Sequence, residues 1–183
     1  LKQTALLADR KRALHLGDEH TLIDLGTFAD CLYGHDLRKT LGFTLRWRLP
    51  QGLTVKDTLD RKKTFRGDEL ELAASLVADK ASQPQTREFV YRLLRDKKEI
   101  LTIRHARASN GKKASLTTSE QFKLVHAQGR KWPLEPPEKF YRFADRTLSR
   151  YQNADFPAEF ALETERLFQN IFYLGPLRSH PRR

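Results

Sequence analysis

Leu41, Phe43, Leu45, Trp47 and Leu49 alternate with Gly42, Thr44, Arg46 and Arg48. A period of two sends successive side chains to opposite sides of an extended backbone, so this run buries its apolar row only as a strand lying on a core. Pro50-Gln51-Gly52 reads as its end, because proline and glycine interrupt a ladder. Residues 70–76 alternate more weakly and predict a second strand. Residues 89–94 and 100–105 predict two more, joined by the charged turn Asp96-Lys97-Lys98. Asn110-Gly111 favours a type I′ hairpin, since both residues tolerate positive φ. It should connect a strand ending near Ala108 to another over residues 114–118, and residues 122–127 give one further short candidate. Connections this short imply antiparallel neighbours. The expected fold class is α+β, mainly an antiparallel β meander flanked by helices.

The flanks read as helices. Residues 1–16 carry Leu6, Leu7, Leu14 and several alanines without Pro or Gly, which predicts a helix stopped by Gly17. Residues 22–26 form a short apolar segment ending in a turn, and residues 28–35 are irregular. Pro133, Pro136 and Pro137 close the strand region. Asp155-Phe156-Pro157 then opens a helix, with Glu159 and Glu163 near its positive end. Phe160, Leu167, Phe168, Ile171 and Phe172 share one face at helical spacing, which marks a core-facing stripe.

Composition limits the function classes. Hydrophobic residues make up 39% of the 183, enough for a core, so wholesale disorder is excluded. No apolar run approaches the ~18–20 residues needed to span a bilayer, and no signal-peptide pattern opens the chain. The single Cys31 forms no internal disulfide and fits a reducing cytoplasm. Lys and Arg number 34 against 23 Asp and Glu, a formal charge of +11 that attracts polyanions, nucleic acid or nucleotide phosphates. The basic residues are dispersed, with short runs only at Arg10-Lys11-Arg12 and Arg61-Lys62-Lys63. A solvated surface explains them as well as a nucleic-acid footprint does. The chain has no methionine and starts at Leu1, so both ends are expected to be cuts.

No complete active site is legible. Gly111-Lys112 resembles the end of a phosphate-binding loop, but Ala106 stands where the earlier glycine is needed and Lys113 where Ser or Thr should be. Histidines 15, 20, 35, 105, 126 and 180 show no zinc-ligand spacing, although His105 and His126 could meet across strands. No Gly-x-Ser-x-Gly elbow is present, which leaves little room for a self-contained hydrolase. The most specific segment is the last one. Gly175 permits close backbone approach, Pro176 and Pro181 stiffen the chain, and Arg178, Arg182 and Arg183 follow. Guanidinium groups on such a backbone suit phosphate; a basic linker after a helix explains them equally well.

The string Tyr-Leu-Gly-Pro-Leu-Arg-x-x-Pro-x-Arg at residues 173–183 resembles a motif of prokaryotic ABC/SMC-like P-loop ATPases of the AAA class. These are related to the OLD family and are often found in anti-phage defence systems. Leu1-Lys2-Gln3-Thr4 is similar to the end of that family's helix after the P-loop. Residues 22–30, with Asp24, Leu25, Gly26 and Phe28, resemble its valine-aspartate-leucine-glycine-serine-phenylalanine-x-aspartate segment.

The resemblance implies one incomplete ATPase-head region, an internal segment between the Walker A and signature motifs. It divides into a helix tail (1–16), a strand-rich antiparallel lobe (21–132), a helix (155–172) and the Gly-Pro-Arg motif (173–183). ATP and Mg2+ are expected for the full-length protein, bound between two heads of a homodimer, and none for this segment alone. DNA or RNA, and an effector protein encoded alongside, are the implied partners in the cytoplasm. Gly175, Pro176, Arg178, Pro181 and Arg182 would lie near nucleotide or nucleic acid, whereas Asp24, Leu25, Gly26 and Phe28 would be architectural. The family's magnesium-sensing glutamine has no counterpart after Gln169, and no catalytic residue or metal ligand is assigned.

A second reading is a stand-alone basic, β-rich nucleic-acid-binding module without catalysis. Phe43, Trp47, Phe89 and Tyr91 beside Arg46, Arg48 and Arg92 would form its stacking platform. Alternation counts against it, because Phe43 and Trp47 belong to the apolar row.

Overall fold

A computed structural model describes residues 1–172 except 19, 22, 61, 109–112 and 131. The alternating runs pair as one five-stranded antiparallel sheet, β1 (Leu41–Lys56), β2 (Thr64–Ala78), β3 (Pro84–Arg95), β4 (Lys98–Arg107) and β5 (Ala114–Thr118), in sequence order. Before it come α1 (Lys2–Leu6) and two short 3-10 turns; after it come α2 (Asp145–Leu148) and α3 (Phe156–Gln169). The fold is α+β with an antiparallel meander, as the periodicity predicts. No helix among the described residues is long and apolar enough to cross a membrane.

One face of the sheet carries the core. Leu70, Leu72 and Leu76 of β2, Phe89, Tyr91 and Leu93 of β3, and Leu101 and Ile103 of β4 are fully buried. Aromatic rings from the segment that follows the sheet close over them: Phe143 on Phe89 (centroids 4.7 Å apart) and Phe160 of α3 on Tyr91 (5.5 Å). Such aromatic pairs favour tilted contact, and each adds about 0.5–1.5 kcal/mol beyond the area it buries. The aromatic region around residues 140–143 is thus the lid of the core.

The turns follow their sequences. Asp96 and Lys97 both adopt positive φ (51° and 63°), giving the tight hairpin between β3 and β4. The Asn110-Gly111 turn lies outside the described residues. On either side of it β4 and β5 pair as far as Arg107 and Ala114, and Ala108 N–H donates to the Lys113 carbonyl at 2.8 Å.

Three expectations are corrected. Strand β1 does not end at Pro50: it runs to Lys56 through an irregularity between Arg48 and Leu53, with Gly52 at φ 66°. Proline is tolerated there because β1 is an edge strand, whose outward side needs no N–H. Helix α1 stops at Leu6, well before Gly17. Beyond it the chain turns back: Asp9 accepts from Lys11 N–H, the Gln3 amide donates to the His15 carbonyl, and Thr4 Oγ1 accepts from His15 N–H at 2.8 Å. Gly17 serves this return instead, at φ 125°, where a Cβ would stand 2.2 Å from the Ile23 carbonyl oxygen. Residues 122–127 form no strand beyond a single bridge from His126 to Tyr151, because a side chain replaces the ladder. The Asn153 amide donates to the Lys123 carbonyl and accepts from Val125 N–H, both at 3.0 Å.

Candidate functional site

The helical stripe of α3 divides in two. Phe156, Phe160, Thr164 and Phe168 are buried, so the first part is core. Ile171 and Phe172, just past the helix end, are instead 45% and 82% exposed. Leu6, Ile23 and Leu25 from the N-terminal segment are also exposed, and all five line one apolar groove of about 600 Å³ that reaches Leu45 of β1. Scattered surface leucines are ordinary, but apolar residues from three separate segments converging on one groove mark a contact surface.

Lys2 lines the groove, and a second lysine, Lys139, braces the helix that carries it. Lys2 of α1 donates to the Gln169 and Ile171 carbonyls (3.3 and 2.5 Å), and its ammonium sits 5.5 Å from the Phe172 ring centroid. It therefore satisfies the open carbonyls at the negative end of α3. Lys139, only 2% exposed, does the same for α1, donating to the Thr4 and Leu7 carbonyls at 2.9 and 2.8 Å. Burial lowers its pKa, but both hydrogen bonds need donors, which the ammonium supplies. Sequence reading gives Lys139 no role and Lys2 only a place in the Leu1-Lys2-Gln3-Thr4 string, since each acts across more than a hundred residues of chain.

The other face of the sheet is polar and nearly self-neutralised. Glu71 accepts from Arg46 of β1 (2.9 and 2.5 Å) and Arg92 of β3 (2.7 Å), its register neighbours on either side. Burial alone would raise its pKa, yet these two guanidinium groups hold it below the ordinary value. Arg104 pairs with Glu88, Arg92 reaches Glu99 at 3.5 Å, and Arg48 approaches Glu69 only to 3.8 Å. Phe89 and Tyr91 are fully buried on the opposite face, and Phe43 and Trp47 belong to the same inward row. The platform that would combine these aromatics with Arg46, Arg48 and Arg92 is therefore not formed: alternation puts the two sets on opposite sides.

The segment with Asp24, Leu25, Gly26 and Phe28 makes a tight corner. Gly26 has φ 70° and donates to Asp24 Oδ1 at 2.9 Å, while Asp30 Oδ2 accepts from Thr27 N–H at 2.8 Å. Phe28 is buried in the core and Leu25 faces the groove. Asp30 also helps to push the Cys31 thiol pKa up, after burial itself. Gly175, Pro176, Arg178, Pro181 and Arg182 lie outside the described residues, as do Gly111 and Lys112.

His105 and His126 have separate surroundings. His105 is fully buried between Phe89 and Phe143, whereas the His126 ring contacts Tyr151 at 4.8 Å. Glu163 pairs with Arg166 at 2.5 Å along α3, and burial raises the Glu159 pKa, with Asp155 and Glu163 adding to it. Among the described residues no group of three or more His, Cys, Asp or Glu could hold a metal ion. Among the described residues the arrangement presents three surfaces for contact: an apolar groove, a charged sheet face and a strand edge without a second partner. Compared with family models, curated proteins and solved structures, the chain gives no match to any of them.

Proposed function

We propose that this chain is the antiparallel lobe of an ABC-type, AAA-class P-loop ATPase head. In that reading it scaffolds ATP hydrolysis carried out by the complete protein, in prokaryotic anti-phage defence or another DNA-related process in the cytoplasm. The observation that carries the reading is the single antiparallel meander standing between residues 22–30 and 173–183, two of the segments that resemble the family, in family order. The corner at Asp24–Gly26, with Phe28 anchored in the core, supports an architectural role for the first of them. Head dimerisation, contact with DNA or RNA through basic residues, and a co-encoded effector belong to the same proposal.

The described residues do not themselves fit magnesium. The carboxylates of Glu69, Glu71, Glu88 and Glu99 are each faced by an arginine, and none converges with another on a shared site. What these residues do is hold shape: the sheet is closed by aromatics on one side and by arginine–glutamate pairs on the other.

The test is the coding sequence ahead of Leu1. It is expected to encode Gly-x-x-x-x-Gly-Lys-Ser/Thr within about 10–20 residues. A stop codon there with no such motif overturns the reading. The 183-residue chain alone should show no ATP hydrolysis.

A further inference from the structure

Strand β1 lies at one end of the sheet, and among the described residues only β2 pairs with it. Its inward row reflects this: Phe43, Leu45 and Trp47 are half-buried, whereas Leu70, Leu72 and Leu76 of β2 are fully buried. The apolar surface does not stop at the edge. The groove continues from Leu45 through Leu25, Ile23 and Leu6 to Ile171 and Phe172.

The outward row supplies the second half of the pattern. Arg46 stands opposite Glu71, and Arg48 opposite Glu69, in the β1–β2 register. Both guanidinium groups lean toward β2, yet Arg48 remains 90% exposed and Arg46 48% exposed, so each is still open to a further carboxylate from solvent. Exposed edges are usually blunted by proline, bulges or charge. In β1 the proline and the register irregularity come only after Arg48, which leaves residues 41–48 regular. The charges that remain are of one sign. They oppose pairing with a second β1, where arginine would meet arginine, and favour a strand that brings carboxylates.

We infer that the free edge of β1 over residues 41–48 receives an extended segment of a partner polypeptide whose residues alternate between acidic and apolar. Its backbone extends the sheet, its carboxylates meet Arg46 and Arg48, and its apolar side chains cover Leu45 and enter the groove. Strand β2 already shows the matching chemistry, because Glu69, Leu70, Glu71 and Leu72 satisfy the same two rows of β1 from the other side. The inference is independent of the ATPase reading.

The test uses the 183-residue chain and two labelled peptides. One has the sequence of residues 68–76; in the other its glutamates are replaced by lysine. Fluorescence anisotropy should show saturable binding of the acidic peptide, with the lysine peptide about fivefold or more weaker. Arg48→Glu should level or reverse that preference, and because Arg48 is so exposed the substitution leaves the core untouched. Hydrogen exchange should report new protection at residues 41–48 on peptide binding. No saturable binding up to about 1 mM, equal affinity for the two peptides, or protection elsewhere overturns the inference. So does concentration-dependent dimerisation that protects residues 41–48 without peptide, because the occupant is then a second copy.

Discussion

The imidazole of His105 lies parallel to the ring of Phe143, 5.6 Å between centroids and 6° between planes. Its Nε2 bonds the Glu135 carbonyl at 2.9 Å, and its Nδ1 has no partner among the described residues. Burial, against the pull of that carbonyl and with help from Arg107, lowers its pKa from 6.5 to about 4. The folded state therefore binds fewer protons than the unfolded state between these values. Stability is complete above about pH 6.5 and is lost as the pH falls toward 4, by about 3 kcal/mol in total. Urea titrations at pH 7 and pH 4.5 should show that loss, and His105→Phe should largely remove this share of the pH dependence.

Tyr91 joins the sheet to the lid. Its hydroxyl donates to the Tyr141 carbonyl at 2.9 Å and stands 2.8 Å from Thr164 Oγ1 in α3, all within the core. Tyr91→Phe keeps the ring and leaves that carbonyl without its donor. Chemical denaturation should show a loss of about 1–3 kcal/mol.

Glu71 is shared by two arginines from flanking strands, with its side chain 10% exposed. Glu71→Ala leaves Arg46 and Arg92 side by side without their common anion. A loss of about 1–2 kcal/mol is expected at low salt, since both arginines are partly solvated and water screens them. Raising the salt should shrink the difference between variant and parent. An unchanged denaturation midpoint would mean the pairs contribute nothing.

Lys139 is the donor that α1 lacks at its C-terminal end. Lys139→Met preserves most of the apolar stem while leaving the Thr4 and Leu7 carbonyls unpaired. Amide exchange over residues 2–6 should accelerate, with global stability falling by about 1–3 kcal/mol. Equal exchange in both proteins would show that α1 is held by packing alone.

The strands were legible because alternation is a local signal. Leu41 to Leu49, the Asp96-Lys97 turn and residues 114–118 needed nothing beyond their neighbours in sequence. What sequence missed is non-local. The continuation of β1 past Pro50 depends on its being an edge, which no window of residues reveals. The early end of α1 depends on Lys139, far along the chain, and the loss of a strand at residues 122–127 depends on Asn153. The groove was hidden for the same reason. Ile171 and Phe172 continue the helical stripe of α3 and read as core, but no element among the described residues covers them.

The irregularity that follows Arg48 fixes how far a sheet extended at this edge can grow. Pro50 offers no amide hydrogen, and the register resumes only at Leu53, where it has shifted. A strand laid against β1 from Leu41 onward therefore loses its footing after eight residues. That makes the edge a measuring stick: it accepts a short segment of defined length and gives a longer one no further hold.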